Sequence, residues 1–79
     1  MFDTKILGHR VFSLRQKEGL NQKQLGDLIG LSHKAISTIE SGNRGTSIDK
    51  LVALAYHFHV STDYLLGITD DPTWRGGEL

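Results

Sequence analysis

Four polar side chains share one side of a short predicted helix, and they are His33, Lys34, Ser37 and Thr38. Positions i, i+1, i+4 and i+5 of a helix span roughly 140° at about 100° per residue. The opposite side of the same helix is apolar and consists of Ala35, Ile36 and Ile39. Such a helix has an apolar back for packing and a front of short polar groups plus a cation. This pattern suits the major groove of DNA, which admits one helix and displays donors, acceptors and thymine methyl groups.

A second short helix is predicted directly before this one. Asn21 can cap it, and Gln24 follows three residues later, as in a capping box. Its apolar residues fall at helical spacing and are Leu25, Leu28 and Ile29. Gly30 is well placed to end this helix, and Ser32 can cap the next one. The segment therefore predicts two helices joined by a tight turn.

The pattern resembles the helix-turn-helix of the lambda-repressor-like (Cro-type, XRE) family. The matching residues are Asn21-Gln22, Leu25-Gly26, Gly30-Leu31-Ser32, Ile36-Ser37, Ile39-Glu40-Ser41-Gly42, Leu51, Ala55, Val60-Ser61 and Tyr64-Leu65-Leu66-Gly67. The resemblance covers roughly residues 6–67. It implies an all-α fold, a compact five-helix bundle with the helix-turn-helix at helices 2 and 3. Residues 68–79 have no helical period and are predicted to form a short C-terminal tail.

The other three helices have signals of their own. An amphipathic first helix is predicted from about residue 5 to 18, with Leu7 or Ile6, Val11 and Leu14 inward. Ser47 can cap a fourth helix that runs to about residue 58. Ser61 can cap a short fifth helix that ends at Gly67.

The resemblance assigns the DNA contacts residue by residue. Residues 32–41 form the recognition helix, in which base edges come closest at its start. Gln22 begins the second helix and is expected to bond a phosphate. Asn43 and Arg44, in the loop after the recognition helix, are further candidates for phosphate contact. The full predicted set is Gln22, Ser32, His33, Lys34, Ser37, Thr38, Asn43 and Arg44. Each residue taken alone is also consistent with a solvated polar side chain.

The family pattern also pairs two charged residues and places a dimer surface. It implies an ion pair between Arg15 and Glu40 that fixes the first helix against the third. It further implies a homodimer on a pseudo-palindromic operator, with the contacts near the fifth helix and after it. Here the predicted dimer residues are Tyr64, Leu65, Ile68 and Trp74. Trp74 can equally fold back onto its own domain or be disordered.

Composition and charge set further limits. The chain has 79 residues, no cysteine and a formal net charge of zero. Residues 1–44 hold seven basic against four acidic side chains, and residues 45–79 hold two against five. The basic excess therefore lies with the proposed reading helix. Without a long apolar run at the N-terminus we expect neither signal peptide nor membrane span, and a cytoplasmic, bacterial or phage-encoded protein.

Two other classes of function compete with DNA binding. An enzyme is not expected, because His57 and His59 are two residues apart and diverge on a helix, and no zinc motif, nucleophile elbow or phosphate loop is present. An antitoxin or a protein-binding adaptor with the same fold remains the alternative. The main prediction is a sequence-specific transcriptional regulator of double-stranded DNA, a repressor or a regulator of a phage or mobile element. No cofactor, metal or small-molecule ligand is predicted.

Overall fold

The computed structural model of the chain describes residues 2–74. Within that range the ordered elements are five helices and no strand: α1 Thr4–Lys17, α2 Gln22–Ile29, α3 His33–Glu40, α4 Ile48–Phe58 and α5 Thr62–Leu66. The all-α, five-helix architecture predicted from the sequence is confirmed. α1 packs against α3 and α5, while α2 packs against α3 and α4.

Each helix begins at a side chain that accepts a hydrogen bond from a free backbone N–H of the first turn. These capping residues are Asp3, Asn21, Ser32, Ser47 and Ser61. Four of them are as predicted, and Asn21 with Gln24 forms the full capping box. The cap at Asp3 was not predicted, and it starts α1 at Thr4, one residue before the predicted start at about residue 5. Such caps typically contribute about 1 kcal/mol each.

The core collects apolar side chains from all five helices. The buried set is Leu7, Val11, Leu25, Ile29, Ile36, Ile39, Leu54, Ala55, Phe58, Val60 and Leu65. On α1 the inward residues are Leu7 and Val11, with Leu14 partly buried. Ile6 and Phe12 face outward, so the structure chooses Leu7 between the two alternatives that the periodicity allowed.

Two glycines let neighbouring backbones approach closely. A Cβ atom at Gly8 of α1 would lie 2.4 Å from the carbonyl oxygen of Ile39 and 2.7 Å from that of Glu40, both on α3. A Cβ atom at Gly26 of α2 would lie 2.3 Å from the carbonyl oxygen of Leu31. The contact of α1 with α3, and the turn between α2 and α3, therefore depend on residues without a side chain.

Residues 68–74, which the sequence predicts as part of a tail, lie against the domain. Arg10 on α1 donates to the carbonyl oxygen of Thr69 at 2.6 Å and to the Asp70 carboxylate at 2.8 Å. The backbone N–H of Ser61 donates to the Pro72 carbonyl oxygen at 3.3 Å. The remainder of the predicted tail, residues 75–79, lies outside the described residues.

Across residues 2–74, none of the helices combines the length and the apolar character needed to cross a membrane.

Candidate nucleic-acid interface

The turn between α2 and α3 is held from both ends. α2 ends at Gly30, and the N–H of Leu31 donates back to the Gly26 carbonyl oxygen at 2.8 Å. Ser32 Oγ then accepts from the N–H of Ala35 at 3.0 Å and starts α3. Lys50 reaches over from α4 and donates to the Ile29 carbonyl oxygen at 2.9 Å. Because these hydrogen bonds hold the turn at both ends, α3 has a defined orientation relative to α2.

The two faces of α3 are as the sequence predicts. Ile36 and Ile39 are buried in the core. His33 and Lys34 are exposed at the start of the helix, while Ser37 and Thr38 are partly exposed one turn later. The predicted polar face is therefore present on the surface and supported by core packing from behind. A helix held this way can present its side chains to a groove without reordering its backbone.

The hydroxyl proton of Thr38 is already used in a hydrogen bond within α3. Its hydroxyl donates to the carbonyl oxygen of Lys34 within α3, at 2.9 Å. Since that proton is used inside the helix, the hydroxyl oxygen can only accept from a base, and the methyl group can contact the methyl group of thymine.

The predicted Arg15–Glu40 ion pair is present. Arg15 Nε donates to Glu40 Oε2 at 2.6 Å, and Arg15 Nη2 donates to Glu40 Oε1 at 2.8 Å. The third nitrogen, Nη1, donates to the Leu20 carbonyl oxygen at 2.8 Å. The side chains are only 9% and 5% exposed. Hydrogen bonding to Glu40 raises the pKa of Arg15 above its usual range, against the opposing effect of burial. This bidentate pair joins α1 to the last residue of α3.

Gln22 is bonded to the same carboxylate. Its Nε2 donates to Glu40 Oε1 at 3.0 Å from the first residue of α2. A shallow groove passes this point, and its lining residues are Arg15, Asn21, Gln22, Lys23, Asp27 and His33. Lys23 is paired with Asp27 at 3.0 Å. The structure thus brings Gln22, the predicted phosphate contact, and His33 at the start of α3 to one groove.

The loop after α3 carries the last two predicted DNA residues. Asn43 and Arg44 are exposed, and the N–H of Asn43 donates to the Thr38 carbonyl oxygen at 3.3 Å. Thr4 of α1 donates to the Gly42 carbonyl oxygen at 2.7 Å, which ties the loop to α1. Arg44 lines a groove between α3 and α4 together with Lys50. Sequence reasoning missed Lys50, because no local pattern marks a lysine that reaches another helix.

The four residues predicted for the dimer surface do not share one surface. Leu65 is a correction: its side chain is completely buried in the core, so it cannot contact a second copy. Tyr64 is half-buried and lies under the Arg10 guanidinium, 4.2 Å from its ring centre, while its carbonyl oxygen accepts a hydrogen bond from Arg10. Trp74 folds back onto the domain, which is one of the outcomes that the sequence left open.

Trp74 and Ile68 mark two different surfaces. The Trp74 ring stacks on His59 at 4.9 Å and meets the edge of Tyr56 at 4.8 Å. Ile68 is 70% exposed. It lines an apolar groove with Phe2 and Ile6, which are both exposed as well. The exposed apolar surface at the end of α5 is therefore completed by the N-terminus rather than by Trp74.

Comparison with known proteins agrees with this geometry. A profile described as helix-turn-helix matches residues 11–65. The uncharacterised HTH-type transcriptional regulator YobD of Bacillus subtilis (strain 168) is 40% identical over 63 residues, which are 80% of this chain and 56% of YobD. The HTH-type transcriptional regulator ImmR of the same strain is 38% identical over 61 residues, 77% of this chain and 48% of ImmR. The chain thus spans about half the length of these curated relatives.

A solved structure shares the fold. The c2 repressor of Salmonella phage P22, crystallised with a synthetic operator, superposes with a TM-score of 0.73 at 35% identity. The superposition covers 76% of this chain and 91% of that one. With the five helices, the capped turn and the Arg15–Glu40 pair in place, the chain belongs to the lambda-repressor-like, XRE-type helix-turn-helix family.

Proposed function

We propose that the protein is a sequence-specific regulator of transcription that places α3 in the major groove of double-stranded DNA. The observation that carries this proposal is the polar face of α3, held outward by the buried Ile36 and Ile39 behind it. Lys34 can donate to guanine O6 and N7, and the Thr38 methyl group can contact a thymine methyl. His33 can donate to a base or a phosphate. The similarity to the P22 c2 repressor, which was crystallised in complex with an operator, supports the same mode of action.

Phosphate contacts would set the register of this helix on DNA. Gln22 at the start of α2 and Asn43 with Arg44 after α3 flank the polar face in sequence, and all three reach the surface. Such contacts position a protein and add affinity without reading bases. We place Ser32 among the interface residues through its position at the start of α3, where its hydroxyl already accepts the Ala35 N–H.

In this proposal the regulator is a repressor that binds a pseudo-palindromic operator as a homodimer. Two copies related by a two-fold axis would read half-sites about one helical turn apart. The groove of Phe2, Ile6 and Ile68 replaces the predicted set of dimer residues, because these three side chains are exposed together at the end of α5. We place the protein in the cytoplasm of a bacterium, where operator DNA is accessible, and assign it no enzymatic activity.

The experiment is selection from a pool of random duplexes, followed by sequencing, at two salt concentrations. Wild type is compared with Lys34→Ala and Thr38→Ala. We expect a two-fold motif whose binding weakens with salt, because phosphate contacts release counterions. Each substitution is expected to relax the preference at one position per half-site and to cost about 1–3 kcal/mol of discrimination.

Lys23→Ala is the matched control, since Lys23 is an exposed lysine of α2 that is paired with Asp27. It is expected to leave the selected motif unchanged. If wild type selects no motif at either salt concentration, the regulator function is wrong for this chain. A protein partner, as in the antitoxin or adaptor alternative, would then be the next target.

A further inference from the structure

We infer that Glu40 is a positioning residue for DNA binding, because its carboxylate fixes the orientation of the Gln22 carboxamide. This inference rests on the proposed function and adds to it a residue that does not itself touch DNA.

The carboxylate of Glu40 is a fixed acceptor. Arg15 bonds both of its oxygens, at 2.6 and 2.8 Å. The side chain is 5% exposed, so water cannot substitute freely for these partners. Gln22 Nε2 approaches the oxygen Oε1 that Arg15 Nη2 also bonds, at 3.0 Å. Arg15 therefore holds Glu40 Oε1 in position independently of Gln22.

A carboxamide next to such an acceptor has one favourable orientation. It carries an oxygen that only accepts and an NH₂ group with two donors. Turning the amide by 180° would bring its oxygen against the carboxylate with no proton between them. One N–H is thus used by Glu40, and the second N–H remains available at the groove that His33 and Lys23 also line.

A phosphate oxygen needs that second donor. Without Glu40 the carboxamide would sample both orientations, and one of them would present its oxygen to the phosphate. Fixing the amide in advance lowers the ordering cost that is otherwise paid on binding. Glu40 would therefore act on DNA affinity through Gln22.

This role is separable from the structural role of the ion pair. The Arg15 guanidinium is already satisfied by Glu40 and by the Leu20 carbonyl oxygen, without Gln22. Loss of Gln22 should leave the α1–α3 connection intact. Stability and DNA affinity can therefore respond differently to the same pair of substitutions.

The test is a double-mutant cycle with two measurements. Wild type, Gln22→Met, Glu40→Met and the double variant are assayed for affinity to the selected duplex and for unfolding in urea. We expect Gln22→Met to lower affinity about tenfold, as for loss of a hydrogen bond to a charged group. Glu40→Met, which removes the acceptor, is expected to lower affinity about threefold or more in wild type but less than about 1.5-fold in the Gln22→Met background. Its effect on the urea midpoint should be the same in both backgrounds.

Lys23→Met provides the matched control for Gln22→Met. Lys23 lines the same groove but is paired with Asp27 and not with Glu40. Lys23→Met and the substitution of Glu40 should therefore lower DNA affinity independently of each other.

If Glu40→Met unfolds the protein, two further measurements still test the inference. Arg15→Met with Glu40→Met removes both charges and the acceptor, leaves no unpaired buried ion, and is expected to show the same dependence on Gln22. In free wild type, NMR should find one Nε2 proton of Gln22 protected from exchange relative to the other.

Additive losses of affinity in the cycle, or equal exchange of the two protons, would overturn the role of Glu40 while leaving DNA recognition intact. A wild type that selects no duplex would overturn the proposed function and this inference with it.

Discussion

The carboxylate of Glu40 is buried, and its burial decides how much stability is lost when it is removed. A carboxylate taken out of water gains little net stability from its partner, since desolvation offsets most of the attraction. Removing one partner is different, because the other charge then stays buried and unpaired. The Lys23–Asp27 pair provides the contrast within the same chain, since its side chains are 74% and 66% exposed.

We predict that Glu40→Ala lowers the free energy of unfolding by about 3 kcal/mol, as for a broken buried pair. Asp27→Ala, which breaks the exposed pair, should lower it by less than about 1 kcal/mol. Urea unfolding followed by circular dichroism measures both values. Similar losses for the two variants would mean that burial of the Arg15–Glu40 pair does not govern its contribution.

The pKa of Arg15 adds a pH prediction to the same pair. A raised pKa of a base in the folded state contributes stability below the unfolded pKa, and this contribution is lost only as the pH rises through the folded pKa. For Arg15 that loss lies far above neutral pH. Titration of Arg15 should therefore contribute no slope to the unfolding free energy between about pH 6 and 9. A slope there that disappears in Arg15→Met would contradict the prediction.

At the scale of the elements, local sequence signals predicted the helices but did not predict the contacts between residues that are distant in the chain. Asn21, Ser32, Ser47 and Ser61 cap helices within three residues of themselves, so the sequence alone marks where four helices begin. Leu65 shows the limit, because the fifth helix is too short for a period to separate its buried side from its exposed side.

The segment after α5 shows the same limit more clearly. Residues 68–74 have no periodic pattern, and Arg10, which holds them, lies about sixty residues earlier in the chain. Residues 33–38 of the candidate site could be predicted, since their spacing on one helix is visible in the sequence. The link from Gln22 to Glu40 could not, because it depends on how α2 and α3 are placed together.

The packing of α1 against α3 gives a prediction for Gly8. Alanine is favoured over glycine in a helix by about 1 kcal/mol. At Gly8, however, the added Cβ would lie 2.4 Å from a backbone carbonyl oxygen of α3, which cannot move aside like a flexible side chain. We expect Gly8→Ala to lower the free energy of unfolding by about 1–3 kcal/mol, as for overpacking.

Ser13→Ala is the control for Gly8→Ala, since Ser13 is exposed on the same helix. It should leave stability unchanged or raise it by a few tenths of a kcal/mol, roughly the difference in propensity. Thermal and urea unfolding report both variants. A stabilised Gly8→Ala protein would show that α1 can move away from α3 without loss.

At the scale of the whole molecule, the proposed dimer requires an apolar surface that can contact a second copy. Two groups of three exposed apolar side chains are the candidates. Phe2, Ile6 and Ile68 line the groove at the end of α5. Ile48, Val52 and Tyr56 form a stripe along α4 at intervals of four residues. The proposed dimer uses the first of these surfaces.

Substitutions at two exposed isoleucines can distinguish the two surfaces. Ile68 is 70% exposed and Ile48 is 79% exposed, so neither substitution to glutamate disturbs the core. We predict that Ile68→Glu lowers the affinity for a two-half-site operator at least about tenfold, because a charge is costly in an apolar contact. It should leave binding to a single half-site unchanged, and Ile48→Glu should change neither. Sedimentation on and off DNA, together with gel-shift titration, distinguishes these outcomes.

The reverse result, loss of cooperative binding with Ile48→Glu only, would move the dimer surface to α4. No effect of either variant would exclude both surfaces as the contact of the proposed dimer.

Trp74 gives the molecule an optical property of its own. It is the only tryptophan of the chain, and its indole is stacked 4.9 Å from the His59 imidazole. Tryptophan fluorescence of the unlabelled protein therefore comes from a single position, at the end of the segment that Arg10 and Ser61 hold against the domain. Any event that separates Trp74 from His59 and Tyr56, such as binding of a partner or a second copy there, would change the emission directly, while an event confined to α3 would leave the emission unchanged.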